Sequence, residues 1–162
     1  MGLAQDLLQQ AGHLATYEGA NPSQASLRRS VSTAYYALFH PLIEEAGMRW
    51  HGSPEARSGV ERGFQHGSMK RISMQFRAST WQDWHGIRQS VPVALQRIAG
   101  AFVEFQEERH TADYDNHEQW TATEAEETLN TARFAFQQWD SIRADPMASN
   151  YLLAMLVSKQ RP

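Results

Sequence analysis

The chain has 162 residues, of which 41% are apolar and 20% are charged, and its formal net charge is −3. This length and composition predict one globular domain, residues 1–162, with a sizeable hydrophobic core. No apolar run reaches the roughly 18 residues that a transmembrane helix needs. The absence of cysteine excludes disulfides and thiolate metal sites, and together these features favour a cytoplasmic protein without membrane contact.

The small net charge conceals two segments of opposite sign. Residues 49–88 hold seven Lys or Arg against three Asp or Glu, whereas residues 104–145 hold three against eleven. The basic segment could meet phosphate groups, dock on the acidic segment of a second copy, or form an ordinary solvated surface. The second possibility is one reason to expect a homodimer.

The first fifty residues predict two helices. Apolar residues at helical spacing predict the first helix over residues 2–18. The second begins after Pro22, with Ser23 as its cap, and runs to about Gly47, with Pro41 expected to kink or interrupt it. Beside its apolar face runs a polar row: Arg29, Thr33, Tyr36 and His40. Such a row is typical either of a helix that borders a pocket or of an ordinary amphipathic helix.

Residues 48–90 form the least regular part of the chain. Residues 48–59 resemble a loop, and short helices are predicted around Val60–Gln65 and Met69–Phe76. Trp81 and Trp84 follow, and such aromatic residues could stack on bases, cover a small core or form a dimer contact. The histidines of this part lack metal-ligand spacing, so we expect no metal and no cofactor.

A strong helical pattern follows in residues 87–111. Its apolar stripe consists of Val91, Leu95, Ile98, Phe102 and Phe105. The next position of the stripe is Arg109, so a guanidinium should reach the edge of the core, where it needs an anion. Asp113 lies four residues on and could form a bidentate pair with Arg109. The pattern therefore predicts either a structural clamp or a ligand-binding or catalytic site.

The C-terminal third predicts two more helices. Thr121 and Glu124 form a capping box, and the helix that follows should reach about Arg143 and pack antiparallel against the stripe helix. The last helix, residues 149–159, is apolar on nearly every face and should be buried in a core or an interface. With no alternating strand pattern, the chain predicts an all-α, up-and-down bundle of five or six helices without a sheet.

Two segments carry a family resemblance. SLRRSVSTAYYALFH at 26–40, followed by FQEERHTADYD at 105–115, resembles the HEPN family (higher eukaryotes and prokaryotes nucleotide-binding), in particular bacterial members with YYA-x-FH and R-x-x-ADY motifs. The resemblance covers roughly residues 22–143. It implies a helical bundle, usually dimeric, that acts as a metal-independent RNase, as a toxin paired with an antitoxin, or as an RNA-binding module.

The resemblance also implies a site. Active members carry Arg, four to six residues, then His, whereas here Arg109 is followed at once by His110 and, after seven intervening residues, by His117. These three residues are the catalytic candidates. The candidates for a binding or structural pocket are Arg29, Tyr36, His40, Arg109, Asp113 and Tyr114.

We therefore expect a HEPN-like module, dimeric, that binds RNA or a nucleotide near Arg109 with weak or no catalysis. The first alternative is a structural or protein-interaction domain, for example a toxin–antitoxin component with an antitoxin-like partner. The second alternative is a metal-independent ribonuclease, in which a histidine would take the ribose 2′-OH proton while the arginine stabilises the phosphorane.

Overall fold

A computed structural model describes residues 2–50 and 52–158 of the chain. This part folds into seven helices and one β-hairpin, so it confirms the predicted all-α bundle but has more helices than the five or six expected. The elements are α1 (Leu3–Thr16), α2 (Gln24–Arg49), α3 (Pro54–Arg62), α4 (His66–Phe76), β1 (Thr80–Gln82), β2 (Arg88–Ser90), α5 (Val93–Tyr114), α6 (Ala122–Ile142) and α7 (Pro146–Val157).

Helix α2 lies at the centre of the bundle, in contact with α1, α5 and α6. The Ser30 hydroxyl donates to the Ala11 carbonyl of α1 at 2.7 Å. Near the start of α2, the Arg28 guanidinium donates to the Ala112 carbonyl at 3.0 Å, close to the end of α5. Since the beginning of α2 meets the end of α5, these two helices run antiparallel.

The stripe helix α5 also packs antiparallel to α6, as predicted. Near the end of α5, the Thr128 hydroxyl donates to Glu108 at 3.1 Å. Near its start, the Arg97 guanidinium lies 5.8 Å from the Phe134 ring centroid. Later residues of α5 therefore contact earlier residues of α6.

The apolar stripe of α5 forms the middle of the core. All five of its side chains are buried: Val91, Leu95, Ile98, Phe102 and Phe105. Helix α5 begins only after Pro92, whose fixed φ suits that position. The stripe thus fixes the face that α5 turns toward α2, and this face carries Arg109 at its far end.

The expected loop at residues 48–59 is wrong, because α2 extends to Arg49 and α3 occupies the second half of the segment. The Ser53 hydroxyl accepts from the Ala56 amide at 3.2 Å, and Pro54 lies in the first turn of α3. A hydroxyl cap followed by proline is a favourable helix start. This local signal outweighs the glycine and serine content that suggested a loop.

The expected absence of a sheet is also wrong, because β1 and β2 form an antiparallel hairpin. The Asp83 carboxylate accepts from the backbone amides of His85 and Ile87, each at 2.9 Å, and Gly86 has a φ of +79°. By accepting from these amides, the aspartate stabilises the turn itself. The hairpin therefore forms although its strands lack an alternating apolar pattern. Trp81 on β1 is buried against Phe76, at 4.7 Å between ring centroids.

The expected interruption at Pro41 does not occur, since α2 continues from Gln24 to Arg49. Proline removes one backbone hydrogen bond and crowds the preceding turn. Beyond it, however, Leu42 and Ala46 are buried in the main core. Burial of the second half of α2 keeps the helix continuous through the proline.

The apolar last helix finds its partners within the chain. Helix α7 packs on α4 and α2, and the buried Tyr151 hydroxyl lies 2.7 Å from the Ser73 hydroxyl of α4. The run YLLAMLV is therefore explained by burial in the chain's own core. Among the described residues, no helix combines enough length and apolar character to cross a bilayer.

We expect Phe102→Ala to lower the free energy of unfolding by about 3–5 kcal/mol, because it leaves a cavity in a close-packed core. Phe102 is fully buried. The measurement is urea unfolding followed by far-UV circular dichroism. Val93→Ala on the same helix is the control; its side chain is 58% exposed, so its effect should stay within about 0.5 kcal/mol. Equal losses would contradict the assigned face of α5.

Candidate functional site

The site is built around Arg109, the residue that extends the α5 stripe. Helix α5 holds through Tyr114, so Arg109 and Asp113 share a face as an i, i+4 pair. The Arg109 Nε lies 3.2 Å from the Asp113 Oδ2, and the two side chains are 16% and 27% exposed. The expected ion pair is present, at the edge of the core.

The pair does not have the bidentate geometry that the sequence suggested. The 3.2 Å contact joins Nε alone to one carboxylate oxygen, and its direction does not make a hydrogen bond. The buried Nε therefore has no hydrogen-bond partner among the described residues. The same Asp113 oxygen accepts from the Ser32 hydroxyl at 3.3 Å, so Asp113 divides its charge between two donors.

Two tyrosine rings of α2 complete the surroundings of the guanidinium. The Arg109 Cζ lies 5.6 Å from the ring centroids of both Tyr35 and Tyr36. Tyr35 is fully buried and Tyr36 is half-buried. Cation–π attraction at this distance stabilises the charge without supplying an anion.

His66, the first residue of α4, belongs to the same cluster although the sequence did not single it out. Its Nδ1 shares a hydrogen bond with the Tyr35 hydroxyl. Its ring stacks on Phe39 at 4.4 Å and meets Tyr36 edge-on at 6.2 Å. No spacing rule connects His66 with Arg109, because the packing of α4 against α5 brings the two residues together.

His40 lies beside the cluster, as its place in the polar row suggested. Its ring stacks on Tyr36 at 6.0 Å, with an interplanar angle of 29°. Burial lowers the pKa of His40, and the Glu44 carboxylate partly opposes this effect. Burial also lowers the pKa of His66, and the nearby Arg109 and His40 lower it further. Both imidazoles are therefore mainly neutral at pH 7.

Burial raises the pKa of Tyr35 well above its usual range. The Tyr35 hydroxyl is consequently a neutral phenol at every physiological pH, able to donate to or accept from the His66 ring. It holds the imidazole in place and cannot act as a base.

The remaining predicted site residues lie outside this cluster. Arg29 is exposed on α2. His110 is exposed and packs against Tyr114, at 5.0 Å between ring centroids. His117 is exposed after α5, where its backbone amide donates to Asp115 at 2.9 Å. Within the described part of the chain, no hydrogen bond, ion pair or ring contact joins the side chain of Arg29, His110 or His117 to Arg109.

The end of α5 that carries the site is fastened to α2 by Arg28. Its guanidinium donates to the carbonyls of Ala112 at 3.0 Å, Asp115 at 2.7 Å and Glu118. Helix C-termini leave carbonyls without intrahelical donors, and one side chain satisfies three carbonyls in this region. Arg28 thus keeps the last turn of α5, including Asp113, in register with α2.

A groove between α5 and α6 has the opposite electrostatic character. Glutamates line it together with Trp120: Glu104, Glu108, Glu118, Glu124 and Glu127. Burial raises the pKa of Glu108, and its acidic neighbours add to this effect. The groove therefore repels anions. No cluster of three potential metal ligands occurs in residues 2–50 and 52–158.

Comparison with known proteins gives no assignment: no protein-family model, curated protein or solved structure matches the chain significantly. The function must therefore be inferred from the chemistry of the Arg109 cluster.

The neutral histidines predict a pH dependence of stability. Their pKa values are lowered in the folded state, whereas the unfolded chain protonates near the usual pKa of about 6.5. The unfolded state therefore binds more protons, and the free energy of unfolding should fall as the pH drops from 7.5 to 5.5. Urea unfolding at several pH values measures this slope.

His66→Gln should reduce that slope by roughly half, since one of two responsible imidazoles is removed. His85→Gln is the control, because His85 is exposed in the β-hairpin, and it should leave the slope unchanged. A slope that is insensitive to His66→Gln would contradict the proposed burial of a neutral imidazole.

Proposed function

We propose that this protein is a HEPN-like helical module that binds RNA or a nucleotide through a phosphate group at Arg109, with weak or no catalysis. The observation that carries the proposal is the incompletely paired charge of Arg109. Its only ion-pair contact among the described residues is Asp113, and its buried Nε has no hydrogen bond there. A phosphate oxygen would supply both a charge and an acceptor.

Ion pairs within the chain balance three of the seven cations in the basic segment 49–88. In the basic segment, Arg49 pairs with Glu45, Arg57 with Glu61 and Lys70 with Glu107. These cations are already balanced within the chain, so they contribute little to phosphate binding. The proposed site uses Arg109, whose guanidinium is attracted to a pair of tyrosine rings and to one shared carboxylate.

Weak or absent catalysis fits the separation of His110 and His117 from Arg109. The ribonuclease alternative is favoured by a single observation: Arg109 and His66 lie against the same Tyr36 ring, with the Arg109 Cζ at 5.6 Å and the His66 ring centroid at 6.2 Å from its centroid. A neutral imidazole beside a permanent cation is a possible general base. We place binding first, because the two histidines that follow Arg109 in sequence, His110 and His117, lie outside its cluster.

The other alternative is a structural clamp, in which Arg109 only joins α5 to α2. The two cation–π contacts and the Asp113 ion pair favour it. Against it stands the partial exposure of both charged side chains, because a partly exposed ion pair stabilises a fold less than a well-paired buried one. A clamp would also use the Nε donor.

The proposal includes a homodimer and, as a further partner, an antitoxin-like protein. Its support is the opposite sign of segments 49–88 and 104–145 and the exposure of Trp84, which is 52% accessible. Trp81 and α7 no longer support it, because both are buried within the chain.

Arg109→Ala should weaken binding of a fluorescein-labelled single-stranded RNA by about 10- to 100-fold, the value of one or two charge-assisted hydrogen bonds. It should also reduce the salt slope by about one. Fluorescence anisotropy at several salt concentrations measures both. Arg97→Ala is the control, since Arg97 is an exposed arginine of the same helix. Full retention of binding by Arg109→Ala would exclude the pocket.

Asp113→Asn separates the pocket from the clamp. If the pocket is correct, removing the competing carboxylate should strengthen RNA binding severalfold, while the free energy of unfolding falls by less than about 1 kcal/mol. If Arg109 is only a clamp, the same change leaves a buried charge unpaired and should cost about 3–5 kcal/mol without any gain in affinity. Thermal melts and anisotropy on one protein preparation give both values.

A further inference from the structure

We propose that His66 is the second phosphate ligand of the Arg109 site, and that it binds the phosphate as an imidazolium, so that binding takes up a proton. This inference rests on the proposed function and adds to it a residue from a third helix and a coupling between pH and affinity. The ligand class is a phosphate ester, either the phosphodiester of RNA or the phosphate of a nucleotide.

The hydrogen bonding of His66 leaves one nitrogen free for a ligand. Its Nδ1 is engaged with the Tyr35 hydroxyl, and its ring is fixed by stacking on Phe39 at 4.4 Å. Its Nε2 makes no hydrogen bond to any described residue, and the side chain is only partly buried. An imidazole held in this way can point one donor at a bound anion without losing rotational freedom.

The position of His66 in the helix adds to its anion affinity. His66 opens α4, and the preceding Gln65 provides no side-chain cap. The first turn of a helix carries amide donors and a positive dipole end. The positive end of this dipole disfavours a positive charge on His66 while the site is empty. An anion bound nearby offsets this unfavourable effect.

The charges around His66 explain why a proton should accompany the ligand. From α5, Arg109 contributes a permanent positive charge and Asp113 a negative one. From α2, His40, Tyr35 and Tyr36 face the same cluster, with Glu44 acting on His40. A second cation at His66 would have no anion of its own. A bound phosphate provides that anion and makes the protonated form favourable.

The proton balance is simple. In the empty site the neutral ring carries one N–H, and the Tyr35 hydroxyl can donate to or accept from Nδ1. On binding, one proton from solvent adds to the bare ring nitrogen. The imidazolium then donates from Nδ1 to the tyrosine oxygen and from Nε2 to a phosphate oxygen, and no covalent bond is formed or broken.

The test uses an anion that does not itself titrate: a uridine tetranucleotide without a terminal phosphate, which carries only phosphodiester charges. Isothermal titration calorimetry at pH 7.5 in two buffers of different ionisation enthalpy measures the protons taken up. We expect the wild-type protein to take up between about half a proton and one proton per bound oligonucleotide. His66→Gln should abolish this uptake and lower the affinity severalfold, whereas His85→Gln should change neither.

A second measurement on the wild-type protein covers the case in which His66→Gln does not fold. The NMR titration of the His66 ring, with and without the oligonucleotide, should show protonation at higher pH in the complex. Binding without proton uptake, or uptake that persists in folded His66→Gln, would overturn this inference and leave the phosphate site intact. Absence of any binding by the wild type would overturn the proposed function together with it.

Discussion

The end of the bundle that carries the candidate site is organised around one permanent charge, the guanidinium of Arg109. An arginine side chain is a permanent cation, yet the stripe that precedes Arg109 directs its side chain to the edge of the core. The fold stabilises the guanidinium with two tyrosine rings and one carboxylate that is shared with Ser32. This arrangement holds the arginine at the edge of the core and leaves its Nε without a hydrogen bond among the described residues, and the proposed function depends on an external anion completing its pairing.

The sequence predicted those features that follow from periodicity along a single helix. The apolar stripe of α5, the capping box of α6, the position of Arg109 and its contact with Asp113 all follow from spacings of three and four residues. The prediction was wrong where short-range signals competed, as with the Ser53 cap of α3, or where side-chain hydrogen bonds organise a turn, as with Asp83 in the β-hairpin.

The candidate site was only half visible in the sequence, for a physical reason. Tyr36, His40, Arg109 and Asp113 lie on two helices whose faces can be deduced from their own patterns. His66 reaches the cluster because α4 packs against α5, and its role is defined by a contact with Tyr35 across 31 positions. Such a tertiary contact has no local signature, so the histidines nearest to Arg109 in sequence drew attention instead.

The three carbonyl contacts of Arg28 bear on how a ligand could enter. They join α2 to the last turn of α5 and to the loop that leads into α6. Separating the helices at this end would break these three hydrogen bonds and expose the adjacent core, which costs more free energy than turning a single side chain. Entry to the Arg109 site should therefore proceed by rotation of half-buried side chains such as Tyr36 and His40, on a faster timescale than any parting of the helices.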